Sequence, residues 1–156
     1  MNGQISSHHV MAIIIDKGFR RKVLVKNAGY NGKPPGYGFA GGHANQGEDL
    51  IKALMREVSG ETDLKIEILD KVCKIEKISE KTGLLYTQHV WLAVALNNGN
   101  KTKTVVEHGI QQTLGWDWYG LDEWPMPYYK SHRKVFEDSR VEDLIFYHKS
   151  KAASSI

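Results

Sequence analysis

The sequence predicts a layered domain of mixed α and β structure, either α+β or α/β, and three observations lead there. Its 156 residues amount to one domain at roughly 150 residues each. Short β-branched apolar runs stand on both sides of one well-formed amphipathic helix, and a second helical stretch closes the chain. Apolar residues make up 41% and charged residues 25% of the chain, which is globular usage and excludes wholesale disorder.

The elements follow in order. Val10 to Ile15 is a short apolar run, read as a buried strand. Asp16-Lys17-Gly18 turns the chain, and Val23 to Val25 resumes as a second strand. Residues 28–47 are rich in glycine, include Pro34 and Pro35, and have no helical period. They predict a long loop with one short strand at Tyr37 to Ala40, and a loop of this length is usually functional. Glu48 to Ser59 is the best helix, with Leu50, Ile51, Leu54, Met55 and Val58 on one face. Lys65 to Ile78 alternates apolar and charged residues and reads as one or two strands. Lys81-Thr82-Gly83 is a turn, and Leu84 to Leu96 is a long apolar strand. A loop at Asn97 to Asn100 precedes an edge strand within Lys101 to Val106. Gly115 to Leu121 is a further strand with Trp116, Trp118 and Leu121 turned inward. Pro125 and Pro127 interrupt regular structure. Ser131 to His148 reads as one closing helix with Val135, Phe136, Val141, Leu144 and Ile145 inward. The whole is a single domain over residues 1–156, frayed only over 150–156.

Composition narrows the function. No apolar run approaches the length of a membrane span, and the first ten residues lack the layout of a signal peptide. Cys73, the one cysteine, forms no internal disulfide and anchors no thiolate cluster, so a reducing, cytoplasmic setting is expected. The net charge of +3 is uneven: residues 1–35 carry Lys17, Arg20, Arg21, Lys22, Lys26 and Lys33 against Asp16, and the remainder is slightly acidic. A basic end facing a carboxylate-rich remainder suits an anionic ligand held with a divalent metal, although a solvated hairpin accounts for the same charges. The histidines show no metal spacing: His8 and His9 read as a surface pair.

One stretch carries chemistry. Gly41-Gly42-His43-Ala44-Asn45-Gln46-Gly47-Glu48 feeds a helix, and seven residues later come Arg56-Glu57-Val58-Ser59-Gly60-Glu61. Glycine-loop amides at a helix N-terminus favour anions. Glu57 and Glu61, one turn apart, project from one helix face about 40° apart at the border of the apolar stripe. They repel each other, and they stand where the helix dipole disfavours anions. Glutamates placed against both rules call for a cation, and few, hard oxygen ligands suit magnesium or manganese bound with substrate phosphates.

These residues resemble the Nudix hydrolase motif: Gly, five residues, Glu, seven residues, then Arg-Glu-apolar-any-Glu-Glu-any-Gly-apolar. Gly42, Glu48, Arg56, Glu57, Val58, Glu61 and Leu64 match it at the required spacing. The order of elements is also similar to that family's. Gly60 stands where the motif has the first glutamate of its pair, Asp63 where it has glycine, and Ala40 replaces a proline common before the double glycine. The first departure removes a carboxylate and leaves the number of metal ions open.

The resemblance implies an α/β/α sandwich around a mixed sheet and a metal-dependent hydrolase. Such an enzyme cleaves a diphosphate linkage in a nucleoside-diphosphate-linked substrate such as a nucleoside triphosphate or nucleotide sugar. It implies magnesium, with manganese tolerated, on Glu57 and Glu61, with the Gly42 carbonyl and Glu107 as further ligands. Glu48 and Arg56 would complete the catalytic set, and the general base stays open among Glu61, Glu48 and Glu107. Substrate contacts are expected from Gly41 and Gly42, from Arg20, Arg21 and Lys33 on phosphates, and from Tyr37 and Trp118 at the pocket. Tyr30, Phe39 and His43 border the same loop. The expected partner is a small nucleotide or another diphosphate. Neither a membrane nor nucleic acid is expected, and a homodimer stays open. The rival reading, motivated by Gly60, is a catalytically weakened Nudix-fold module that binds nucleotides or regulates.

Overall fold

The computed structural model describes residues 7–29, 34–79, 82–107 and 109–154. Eleven elements follow one another: β1 (Ser7–Ile15), β2 (Arg21–Asn27), β3 (Gly36–Gly38), β4 (Ala40–His43), α1 (Leu50–Thr62), β5 (Ile66–Ile78), β6 (Leu85–Ala95), β7 (Val105–Glu107), β8 (Ile110–Gly120), α2 (Lys130–Asp138) and α3 (Val141–Ser154). The mixed α and β architecture is the expected one.

The strands form an eight-stranded sheet ordered β5-β6-β1-β2-β8-β7, with β3 added on β2 and β4 on β1. β1 and β6 run parallel in register from Ser7↔Tyr86 to Ile15↔Val94, and the other pairings are antiparallel. β1 meets β2 at Ile15↔Lys22. Below that rung β1 pairs with β4 and β2 pairs with β3. Two strands joined by a tight turn thus diverge, and residues 36–43 occupy the space between them.

β1 is apolar at nearly every position because both its faces are covered. Val10, Ala12 and Ile14 pack in one cluster with Ala53, Leu54 and Val58 of α1. Met11, Ile13 and Ile15 pack in the other with Val135, Phe136, Val141 and Ile145 of α2 and α3. The chain is therefore a sandwich, with α1 on one face of the sheet and α2 and α3 on the other.

Four elements differ from the sequence reading. The glycine-rich stretch forms two strands, β3 and β4, where one was expected. Strand signals were hidden there because glycine has low β propensity, yet Gly41 is needed: a Cβ on it would stand 2.1 Å from the Val10 carbonyl oxygen. α1 starts at Leu50, capped by Asp49, whose carboxylate accepts the Lys52 N–H (3.1 Å). The closing helix is two helices, broken where Arg140 takes the left-handed conformation (φ 52°). The end expected to fray is helical to Ser154.

Lys22 corrects the picture of a uniformly basic end. It is fully buried, and its ammonium donates to the carbonyls of Gly120 (2.5 Å), Leu121 (3.0 Å) and Glu123 (2.6 Å). It also lies 4.4 Å from the centroid of the Trp124 ring. Burial pushes its pKa down to about 8. This lysine ties β2 to the segment after β8 and faces no ligand.

Candidate active site

α1 carries the site because its inward arc holds more than apolar side chains. Ala53, Leu54, Val58 and Thr62 are its buried residues, and Glu57 and Glu61 project between the directions of Ala53 and Leu54. Both glutamates meet β4. The Gly41 N–H donates to Glu61 Oε1 at 2.8 Å. The carboxyl of Glu57 packs on the α-carbon of Gly42 so closely that a Cβ there would lie 2.5 Å from its Cδ and 2.6 and 2.8 Å from its oxygens. Gly42 is therefore a steric requirement of the glutamate's position.

Arg56 binds the segment before α1 to the helix. Its Nε and Nη2 donate to the two oxygens of Glu48 at 3.1 and 2.9 Å, and Nη2 also reaches the His43 carbonyl at 3.0 Å. Nη1 donates to Glu57 Oε1 at 2.8 Å. One guanidinium thus links Glu48, β4 and Glu57 in the fork geometry suited to carboxylates. Glu48 accepts the Asn45 N–H as well (2.9 Å), and its pKa is lowered first by Arg56 and then by that bond. Glu57 goes the other way: burial raises its pKa against the lowering effect of Arg56, and the charges of Glu107 and Glu48 raise it further. Glu107, at the end of β7, therefore lies within electrostatic reach of Glu57.

The far end of α1 explains one departure from the motif. Asp63 is the C-cap, in the left-handed conformation (φ 58°, ψ 16°), and its N–H bonds the Ser59 carbonyl. Glycine is the usual residue in that conformation, and aspartate is among the few others that visit it. Lys103 pairs with the Asp63 carboxylate at 2.5 Å. The Trp116 Nε1–H donates to the Asn100 and Thr62 carbonyls (2.7 and 3.2 Å), fixing α1 to β8. Gly60 is exposed, and a Cβ on it would meet no atom within 4 Å.

The other candidates are distributed differently. Trp118 packs at the edge of the α1-side cluster, with the Arg21 guanidinium 5.3 Å from its ring centroid. Arg21 also pairs with Asp16 (3.0 Å). Arg20 lies in the same turn, its N–H bonded to Asp16 Oδ1 (2.9 Å). Tyr37 and Phe39 pack with the α2/α3-side cluster, so the sheet separates them from the glutamates. The reason is register: Tyr37 pairs with Lys26, which shares the face of Leu24. Lys33, Tyr30 and His108 lie outside the described residues.

The sequence reading missed a polar cluster built around the buried His89 on the α1 face of β1, β5 and β6. The Lys71 ammonium donates to His89 Nδ1 (3.0 Å), which leaves His89 Nε2–H to donate to His8 Nδ1 (3.0 Å). The signal was the pairing of parallel β1 with β6, which one sequence does not reveal.

A magnesium ion takes oxygen ligands and is commonly held by one or two carboxylates together with substrate phosphates. Glu57 and Glu61, both against the backbone of Gly41 and Gly42, match that donor set. Among the described residues no three His, Cys, Asp or Glu side chains stand close enough to make a metal site by themselves, so phosphate oxygens would complete the coordination. Among the described residues no helix is long and apolar enough to cross a membrane.

Comparison with known proteins identifies the fold and the family. Among solved structures, the chain is similar to a MutT NUDIX hydrolase from Burkholderia pseudomallei, with 23% identity, 85% of this chain and 97% of that one covered, and a TM-score of 0.67. It is also similar to a NUDIX hydrolase from Nitrosomonas europaea (17% identity, 88% and 90% covered, TM-score 0.69). A third match is the NUDIX domain of Shewanella oneidensis NrtR, solved with ADP ribose (15% identity, 90% and 90% covered, TM-score 0.64). These likenesses establish the fold. No curated protein matches the sequence. The NUDIX domain model matches residues 7–139, and the chain belongs to that family.

Proposed function

We propose that the protein is a metal-dependent pyrophosphohydrolase cleaving a diphosphate linkage in a nucleoside-diphosphate-linked substrate. The observation that carries this is the joining of Glu48, Arg56 and Glu57 through one guanidinium, with Glu57 and Glu61 both seated on the double glycine of β4. Family membership supports hydrolysis of nucleotide diphosphates in general. Structural neighbours named as an ADP-ribose pyrophosphatase and as a NUDIX domain complexed with ADP ribose make nucleoside-diphosphate sugars the first substrates to try.

In this reading Glu57 and Glu61 hold magnesium with the Gly42 carbonyl as a further oxygen donor, while Glu107, expected as a ligand but not close enough to complete a three-carboxylate site, adds negative charge nearby. A bound magnesium would neutralise diphosphate oxygens and acidify a water. Arg56 acts as a positioning residue: it holds the Glu57 carboxylate in one orientation, and Glu48 anchors Arg56. Burial raises the Glu57 pKa and the Arg56 guanidinium counteracts that, which is the sense in which Arg56 supports the carboxylate. Arg21 and Trp118, packed together on the α1 face, would receive a phosphate and a base, the base contributing about 1–3 kcal/mol by stacking.

A second reading is favoured by Gly60, which leaves an exposed gap at one carboxylate position of the motif. In that case the chain binds nucleotides and turns them over weakly. A panel of nucleoside triphosphates, nucleotide sugars and dinucleoside polyphosphates, with and without magnesium and with products identified, separates the two. Magnesium-dependent release of a phosphate monoester from one substrate class supports the enzyme. Binding without turnover across the panel supports the module.

A further inference from the structure

Beneath the β1–β2 turn, on the α2/α3 side of the sheet, lies a cavity of about 460 Å³, within the range of small-molecule sites. The sheet separates it from Glu57 and Glu61. Its walls are largely apolar: Phe19, Leu69, Val94 and Leu96, with Ala152 of α3. Leu96 is 46% exposed, so an apolar surface here faces water.

Two features make this more than an imperfection of packing. The first is the backbone of Phe19, which is held in the left-handed conformation (φ 59°), disfavoured for any residue with a Cβ. Gly18 stands beside it, yet the phenylalanine takes the strained position. Asp16 holds it there: the Phe19 N–H donates to the Asp16 carbonyl (3.0 Å), and the Asp16 carboxylate accepts the N–H groups of Arg20 (2.9 Å) and Arg21 (3.1 Å). Strain enforced in this way marks functional positions, and here it brings an aromatic ring to the wall of a cavity.

The second feature is the charge at the rim. Lys17 and Lys151 both line the opening, and neither has an ion-pair partner among the described residues. Glu67 supplies one carboxylate at the same opening. The His148 imidazole, also at the edge, is engaged with Asp70 (3.2 Å). Two lysines against one lining glutamate, with the Asp70 carboxylate engaged by His148, place ammonium groups at the mouth of an apolar interior.

We propose that this cavity binds a free aliphatic carboxylate, its alkyl chain against Phe19, Leu69 and Val94 and its carboxylate between Lys17 and Lys151. The shape argues for a single molecule in solution over a membrane surface, because the apolar residues line a concavity. The site is independent of the diphosphate chemistry on the other face.

Calorimetric titration of the full chain with straight-chain carboxylates of increasing length tests this. Affinity should rise about fourfold for each added methylene and then stop rising once the cavity is filled. An alkylammonium of equal length should bind much more weakly. Phe19→Gly relieves the left-handed backbone but removes a ring packed against the core, so the protein should stay folded with a modest change in thermal stability and should lose affinity. The double variant Lys17→Gln with Lys151→Gln alters exposed side chains; it should lose the preference for a carboxylate over the matching alcohol. The proposal is overturned by absence of saturable binding, by equal binding of the alkylammonium, or by affinity that keeps rising with length. It is also overturned if the lysine double variant keeps its carboxylate preference, or if Phe19→Gly unfolds the protein or leaves affinity unchanged.

Discussion

Gly42→Ala adds one methyl group where the site has no room for it. The new Cβ would lie 2.5 Å from the Glu57 carboxyl carbon and 2.6 and 2.8 Å from its oxygens, whereas ordinary contact begins near 3.4 Å. The obstructing atoms are the far end of a flexible side chain, so the fold tolerates the change and the carboxylate retreats, by roughly 0.9 Å if the backbone holds. That retreat pulls Glu57 Oε1 from Arg56 Nη1, now 2.8 Å away, and from the position where a metal would be held. Misplacement of a catalytic group by about 1 Å costs on the order of 100-fold. The assay is magnesium-dependent hydrolysis of the best substrate, beside a thermal melt of the metal-free protein. The expected result is a drop in kcat of about 100-fold, a higher magnesium requirement, and a nearly unchanged Tm. Unchanged turnover and metal requirement would refute the reasoning, because Glu57 would then not act from this position.

Gly60→Glu should remove an exposed helix-interior glycine, gaining about 0.5–1 kcal/mol of helix stability, and should lower the magnesium concentration for half-maximal activity; the metal titration in both forms reads this. His89 is held neutral, its pKa pushed down to about 4 by burial and then by the charges of Lys71, His8 and Lys74. Between that value and 6.5 the unfolded chain binds more protons than the fold, so His89 makes stability fall as pH drops through this window; His89→Gln should flatten that part of a Tm–pH curve. If Trp118 receives a base, tryptophan fluorescence should respond more to a nucleoside diphosphate than to pyrophosphate, and Trp118→Leu should abolish the difference. Equal responses in the parent protein would return Trp118 to a packing role.

The parts of this molecule that were legible in its sequence are those whose periodicity is set by burial. β1 and β6 are apolar over Val10–Ile15 and Val90–Ala95 because both faces of the sheet are covered there, and α1 announces itself by its apolar stripe, although its start, after the Asp49 cap, falls two residues later than the stripe predicts. Glu48, Arg56 and Glu57 were brought together by their likeness to the motif, but the contact of Arg56 with Glu48 was not legible, because it depends on how the segment before α1 folds back along the helix. β3 and β4 were not, because glycines chosen for close approach of backbone to backbone, as at Gly41, carry no strand signal. The break between α2 and α3 falls at Ser139 and Arg140, where neither glycine nor proline marks it. Tyr37 was assigned to the pocket from its closeness in sequence to the glycines, but its face is decided by the β2–β3 register, a tertiary property. Lys22 shows the same limit: a lysine in a basic segment reads as solvated until three carbonyls from the end of the neighbouring β8 and the turn after it surround its ammonium.

Whether Glu57 and Glu61 hold the divalent metal is measured, without recourse to turnover, by manganese binding followed by electron paramagnetic resonance. The parent protein, in the presence of a non-hydrolysable diphosphate, should bind manganese saturably, and Glu57→Gln and Glu61→Gln should each weaken that binding by at least about 10-fold, the low end of what loss of support for a metal ligand costs. Because burial raises the Glu57 pKa, Glu57→Gln should also leave the Tm of the metal-free protein unchanged or higher, showing that the lost affinity is not lost folding. Manganese binding of equal affinity in the parent and both variants would contradict the account, and the carboxylates on α1 would then be a solvated helix face with no metal to hold.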